Sequence, residues 1–201
     1  MNTLRRYIIW LSRISHCRGF GVQSPSAYRF IRYVVSEHYP YYAYSSLRRQ
    51  LPHLDWLLRK KMELYLRIAN HCQASQMISH SDGTHDATLQ SYISSGCRKT
   101  TLISIGHGSG ATPRHDGTTQ PPQLVRICPT EGCEDTLHSV LSHTTDDTLL
   151  IIEDIKTSDR ARRMWQSLTL DPHATVTYDL YYLGIASFNH KMHKANYIVN
   201  F

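Results

Sequence analysis

Leu149, Leu150, Ile151 and Ile152 form an uninterrupted apolar run that gives way to two acids, Glu153 and Asp154. A run with no polar face suits a strand covered on both sides, as in a parallel sheet with helices above and below. Further strands are predicted at residues 75–80, 100–105 and 124–128. Between them the apolar spacing lengthens to that of helices. Residues 86–95 predict a helix stopped by Gly96; residues 131–143 predict one that buries Leu137, Val140 and Leu141. Residues 158–168 predict one with Ala161, Met164, Trp165 and Leu168 inward. The chain then reads as a long strand over 174–189, bent near Gly184, and a last strand over 195–201, joined through 189–194 as an antiparallel hairpin. Alternating strands and helices closed by a hairpin imply an α/β fold with a mostly parallel sheet.

Before residue 74 the pattern is helical throughout. Residues 3–15 place Leu4, Ile8, Leu11 and Ile14 on one stripe with Arg5, Arg6 and Arg13 off it, which reads as a docking helix, too short to favour a membrane-surface one. Ser24 and Pro25 can open a second helix, with Ala27, Phe30, Ile31 and Val34 inward. An aromatic-rich connection over 38–44 leads to a third helix over 54–72, with Leu58, Met62, Tyr65, Ala69 and Cys72 in register. The expected organisation is therefore a helical N-terminal arm, 1–73, and an α/β domain, 74–201. Residues 106–123 are rich in Gly, Pro and Thr and lack any period, so they read as a flexible loop, long for a compact domain.

At 201 residues, 41% hydrophobic and 19% charged, the chain can bury a core. Its net charge of +6 permits contact with nucleic acid, but the basic residues are dispersed, so nucleic-acid binding is disfavoured. The five cysteines follow no regular framework and read as reduced thiols. The apolar stretch 7–11 is short for a signal core and no run approaches a membrane span, so a cytoplasmic location is expected.

Ligands of open α/β sheets bind beyond the carboxyl ends of the strands, where Glu153 and Asp154 stand. They are the candidate catalytic pair, Asp154 being placed to orient or deprotonate an acceptor hydroxyl. The same two acids also suit a solvated strand end leading into the helix opened by Ser158. The hexapeptide GHGSGA at 106–111 spells a dinucleotide fingerprint, but Pro113 and Gly117 follow where a helix is needed. Cys128, Cys133, His138 and His143 are spaced by fives, and a step of five turns about 500° around a helix, which scatters ligands. No metal site is expected.

The strand and helix order, with its reversed end, resembles the class I S-adenosylmethionine-dependent methyltransferases. The pieces GFGVQSP, YPYYAY, LLIIEDI, TVTYDLYYLGIASF and YIVNF, with the inward Trp165, resemble a bacterial subfamily that carries an N-terminal helical arm. The resemblance implies S-adenosylmethionine as cofactor and in-line transfer of its methyl group to an O or N nucleophile. It implies that Glu153 and Asp154 face the acceptor and that Ser81, Asp82, Gly83 and Gly106 line the cofactor. The family pattern at the first strand-turn-helix is an acid, a spacer, a Gly, three residues and a second Gly. Here Ser79 stands for the acid, and Ser81 and His85 for the glycines. No acid follows the next strand, where the ribose would be held. The acid missing at Ser79 removes a charge-assisted bond of about 1.5–3 kcal/mol, and a Cβ at either glycine position crowds the turn. The strand and helix that the family places before 124–128 have no counterpart in the 106–123 loop. Two functions follow: a methyltransferase with degraded cofactor motifs, or a catalytically inactive relative that binds or regulates an unidentified small-molecule or protein partner.

Overall fold

The computed structural model describes residues 3–106 and 123–201. Among these, seven strands follow one another: β1 Gln76–His80, β2 Thr101–Ile105, β3 Leu124–Ile127, β4 Leu149–Glu153, β5 Val176–Asp179, β6 Leu183–Ser187 and β7 Ala195–Ile198. They join in one sheet ordered β2-β1-β3-β4-β6-β5-β7. Only β6 runs antiparallel to its neighbours, β4 and β5; the other pairs are parallel. The helices are α1 Thr3–Ser12, α2 Pro25–Phe30, α3 Tyr42–Gln50, α4 Trp56–Cys72, α5 Asp86–Gly96, α6 Cys133–Leu141 and α7 Asp159–Leu170, with a π turn, Ile31–Val35, continuing α2. This is the α/β architecture expected from the sequence, a mostly parallel sheet with an antiparallel hairpin near its C-terminal end.

Side chains of β4 alternate between two apolar layers, which explains its unbroken hydrophobicity. Leu149 and Ile151 pack with Met62, Tyr65, Leu66 and Ala69 of α4 and with Leu89 and Ile93 of α5. Leu150 and Ile152 pack on the other face with Leu137 and Val140 of α6 and Met164, Trp165 and Leu168 of α7. The first layer also takes in Ala27, Phe30 and Ile31, so one continuous cluster joins the first seventy residues to the sheet. Helix starts follow local chemistry: the Asp55 carboxylate accepts from the Leu57 and Leu58 amides at 2.6 and 3.0 Å, and Ser158 caps α7. Gly96 ends α5 as expected, and it also has a packing reason, since a Cβ there would strike the Leu66 carbonyl of α4.

Four expectations need correction. The stretch 174–189 is not one bent strand but the hairpin itself, β5 and β6, turning at Leu180, Tyr181 and Tyr182. Tyr181 takes φ 71° there, and its amide donates to Asp179 Oδ1 at 2.9 Å. Strand β7 does not pair with β6; it runs parallel to β5 on the far side, with Thr177 opposite Asn196. Gly184, read as a bend, lies in regular register opposite Ile152 and Asp179. Its missing side chain makes room for the indole of Trp165 from α7. Finally, the apolar stripe of α1 faces outward, with Leu4 66%, Ile8 58% and Leu11 58% exposed. The helix is anchored instead through buried Ile9 and, just after it, Arg13, which pairs with Asp179 at 3.0 Å.

Strand β2 is the outermost described strand on its side of the sheet. Its Leu102 amide donates to Gln90 Oε1 of α5 at 2.8 Å. Of the expected loop over 106–123, only Gly106 and Gln123 fall within the described residues.

Gly184→Ala is expected to destabilise the fold by about 1–3 kcal/mol, because the new methyl group overpacks the Trp165 ring. Denaturant unfolding followed by Trp fluorescence measures it; a midpoint equal to that of the parent chain would show that the ring yields freely.

Candidate functional site

The acid-ended strand delivers its acids to different surroundings. Glu153 continues the Leu149, Ile151 face of β4 and so points at α4, beneath Lys61 and Tyr65, one helical turn apart. Lys61 Nζ donates to Glu153 Oε2 at 2.7 Å, and Tyr65 Oη donates to Oε1 at 2.7 Å. From the neighbouring strand, Arg126 Nε donates to the same Oε1 at 2.7 Å. The Arg126 guanidinium continues across the sheet, and its Nη1 donates to Ser79 Oγ of β1 at 3.0 Å.

The chain of charges extends at both ends. Lys61 also reaches Asp154 Oδ1 at 3.0 Å, and Arg126 lies 3.6 Å from Asp86 Oδ1 at the start of α5. Asp86 accepts from Ser81 Oγ at 2.9 Å and from Ser104 Oγ. The result is a row, Asp154, Lys61, Glu153, Arg126, Asp86, in which sign alternates at each step.

Burial sets the electrostatics of this row. Desolvation would raise the Glu153 carboxyl, but the charges of Arg126 and Lys61 outweigh it and hold the group well below the ordinary carboxylate range. Desolvation would likewise lower Lys61, and Glu153 and Asp154 more than offset it, so its ammonium is raised. Burial and then the Glu153 charge push the Tyr65 hydroxyl far up. Glu153 is therefore a fixed anion with both oxygens engaged, lacking spare capacity to take a proton at neutral pH.

Asp154 is different. Its side chain is 39% exposed and its backbone sits at φ 58°, a left-handed conformation that costs a non-glycine residue about 1–2 kcal/mol. Its amide donates to the Tyr182 carbonyl at 2.7 Å, which holds the turn in place. Of the two acids expected at the site, Asp154 alone combines solvent access with an imposed geometry. Lys156, just beyond, is drawn to Asp179 at 2.7 Å.

The turn after β1 brings Ser81 against Gly106: the Ser81 amide donates to the Ile105 carbonyl at 3.1 Å, and a Cβ on Gly106 would strike the Ser81 carbonyl. Asp82 and Gly83 lie on the exposed side of the turn. The polar groups are spent within it, since the Gly83 amide donates to Ser81 Oγ at 3.2 Å and the Thr84 amide to Asp82 Oδ1 at 3.1 Å. The structure thus brings Ser81 and Gly106 together, and Glu153 with Asp154 through Lys61. The pattern reading missed Lys61, Tyr65, Asp86 and Arg126 as parts of this site, and named Ser79 only as the residue standing for an acid. A signal existed, because an arginine inside LVRI, a strand buried along its whole length, needs an acid partner.

Cys133 is buried beside Met164 Sδ at 3.5 Å, and among the described residues no group of three or more His, Cys, Asp and Glu is arranged to hold a metal ion. A cleft of about 1130 Å³ opens at the opposite end of the sheet, by Gln123, Thr148 and Ser187. It lies at the amino ends of β3 and β4, away from the carboxyl ends where α/β sheets take their ligands, so its size alone does not make it the site.

No family model matches the chain, and no curated protein matches it. Among solved structures it is similar to cofactor-bound Rv0187 from MTB, with a TM-score of 0.48 and 11% identity, covering 75% of this chain and 91% of that one. A likeness of that size says nothing of activity.

Titration of the row has two signs. The Glu153 carboxyl is lowered by folding, so its contribution to stability is complete above its ordinary value of 4.5 and is lost as pH falls from there toward the folded value. The Lys61 ammonium is raised, so its contribution is complete below 10.5 and is lost as pH rises past it. Glu153→Gln is expected to cost about 3–5 kcal/mol at neutral pH, because it leaves Arg126 buried without its nearest counter-charge. It should also make the acid limb shallower. Urea melts between pH 3 and 11, a range of about eight units spanning both ordinary values, test this, and an unchanged neutral midpoint would remove Glu153 from the framework.

Proposed function

We propose that this chain is a methyltransferase-like α/β module that binds a partner or ligand without transferring a methyl group, its donor end being filled by its own side chains. The observation that carries the reading is the hydrogen bond from Arg126 to Ser79, 3.0 Å long, at the position where the resemblance implies an acid. S-adenosylmethionine brings an ammonium and a sulfonium, and both want negative charge. Here that position presents a neutral hydroxyl already covered by a cation. The acid at the start of the following helix, Asp86, is engaged by Ser81, Ser104 and Arg126.

The turn supports the same reading. Ser81 packs its carbonyl against Gly106, and its hydroxyl closes the turn on itself, so the bare backbone a nucleoside donor needs is covered. The residues present therefore do not fit the donor, and no transfer step is derived through it. The enzyme reading keeps one observation in its favour, the half-exposed, backbone-strained Asp154 at the strand end.

Calorimetry decides between them. The expected outcome is no heat of binding with S-adenosylmethionine or S-adenosylhomocysteine, for the parent chain and equally for the double variant Ser81→Gly, His85→Gly, which leaves Arg126 and Ser79 in place. A micromolar Kd for either compound with the parent chain would overturn the proposal and return Asp154 to the role of acceptor-side acid.

A further inference from the structure

A separate cavity of about 270 Å³ lies between α1, the start of α4, the β5–β6 turn and the last residue, and shares no residue with the charge row. Its wall is aromatic, including Trp10, Trp56, Tyr182 and Phe201. Two cationic side chains line it and no Asp or Glu does. The Arg6 guanidinium carbon sits 4.2 Å from the centre of the Trp56 ring; Lys60 Nζ lies 5.0 Å from the same ring and 4.5 Å from that of Phe201.

Lys60 forms no hydrogen bond or ion pair with any described residue; the two rings are its company. Burial, then the charges of Arg67 and Arg6, lower its ammonium to about 8, against a smaller opposing effect of Glu63. Tyr182, part of the same wall, carries a buried hydroxyl without a hydrogen-bond partner among the described residues. An unpaired ammonium and an unsatisfied hydroxyl at an apolar wall both lower their free energy by meeting an oxygen acceptor.

We propose that this cavity binds a small planar aromatic carboxylate, its ring against the Trp56 and Phe201 wall and its carboxylate on Lys60. The aromatic wall selects a flat apolar body, and the volume, at the low end for ligand pockets, limits it to one ring or a fused pair. The charge follows from Arg6 and Lys60. A cationic ligand, the usual guest of aromatic walls, is excluded because Arg6 and Lys60 already bring two positive charges to this one. The site does not depend on the donor end being closed.

Calorimetry with benzoate, indole-3-acetate and 2-naphthoate tests it, with tryptamine as the cationic counterpart of indole-3-acetate and S-adenosylmethionine as a parallel arm. At least one of the three acids should bind with a millimolar Kd or tighter, and tryptamine about ten-fold more weakly or not at all. Lys60→Gln should weaken binding about ten-fold, as loss of a charged hydrogen bond does, while Lys60→Arg retains most of it. Thermal melts establish that both variants are folded. Failure of all three acids to bind, tryptamine binding as well as indole-3-acetate, or an unchanged Kd in a folded Lys60→Gln overturns the proposal. Heat from S-adenosylmethionine, with at least one of the acids binding as expected, would sink the functional reading and leave this site standing.

Discussion

The Glu153 carboxylate is the junction on which this molecule depends. It binds a lysine and a tyrosine of a helix that precedes the sheet and an arginine of an adjacent strand, across 92, 88 and 27 residues of chain. None of these groups is tolerable alone where it lies. An arginine inside an apolar strand needs an anion, a buried anion needs more than one donor, and the lysine needs a reason to turn inward. Together they fix the rotation of α4 on the sheet and the position of β3 beside β4. The apolar layer below then has one way to close.

That junction also explains why the two ends of the sheet differ so much. At the carboxyl ends, where an α/β sheet usually leaves a crevice for a ligand, the crevice is spanned by a row of opposite charges running from Asp154 to Asp86. The turn after β1 uses its own hydroxyls and carboxylates to satisfy its own amides. Space instead remains to one side, where α1 leans over Trp56. The α/β architecture is thus retained, while the end of the sheet where such folds usually take a ligand is crossed by charges of the framework.

Much of the fold was legible in the chain because burial imposes period. The five-residue strand ending at Glu153, the inward face of α7 and the cap at Ser158 follow directly from spacing and side-chain chemistry. The misreadings share a cause. Gly184 reads as a bend because a glycine in a strand offers no clue to what fills its empty side, and the answer, Trp165, comes from elsewhere in the chain. The α1 stripe reads as the docking side of its helix because periodicity records amphipathicity and not which side is covered. The site was half legible: Glu153 and Asp154 were found, but local pattern gives two adjacent acids one environment. The structure gives one a sealed cluster and the other an exposed strained turn. Lys61 reads as one of several dispersed basic residues and Arg126 as part of a strand, because the partner of both, Glu153, lies far off in sequence.

The hydrogen bond from the Leu102 amide to the Gln90 side chain has a consequence for how copies of this chain behave toward one another. An outermost strand with free amides is a template on which a stranger's strand can add, the first step of aggregation. Tying one such amide back to the helix that packs on it breaks the even ladder an incoming backbone would need. A side chain that contributes little to the core thereby helps keep a β-rich surface from recruiting its own kind.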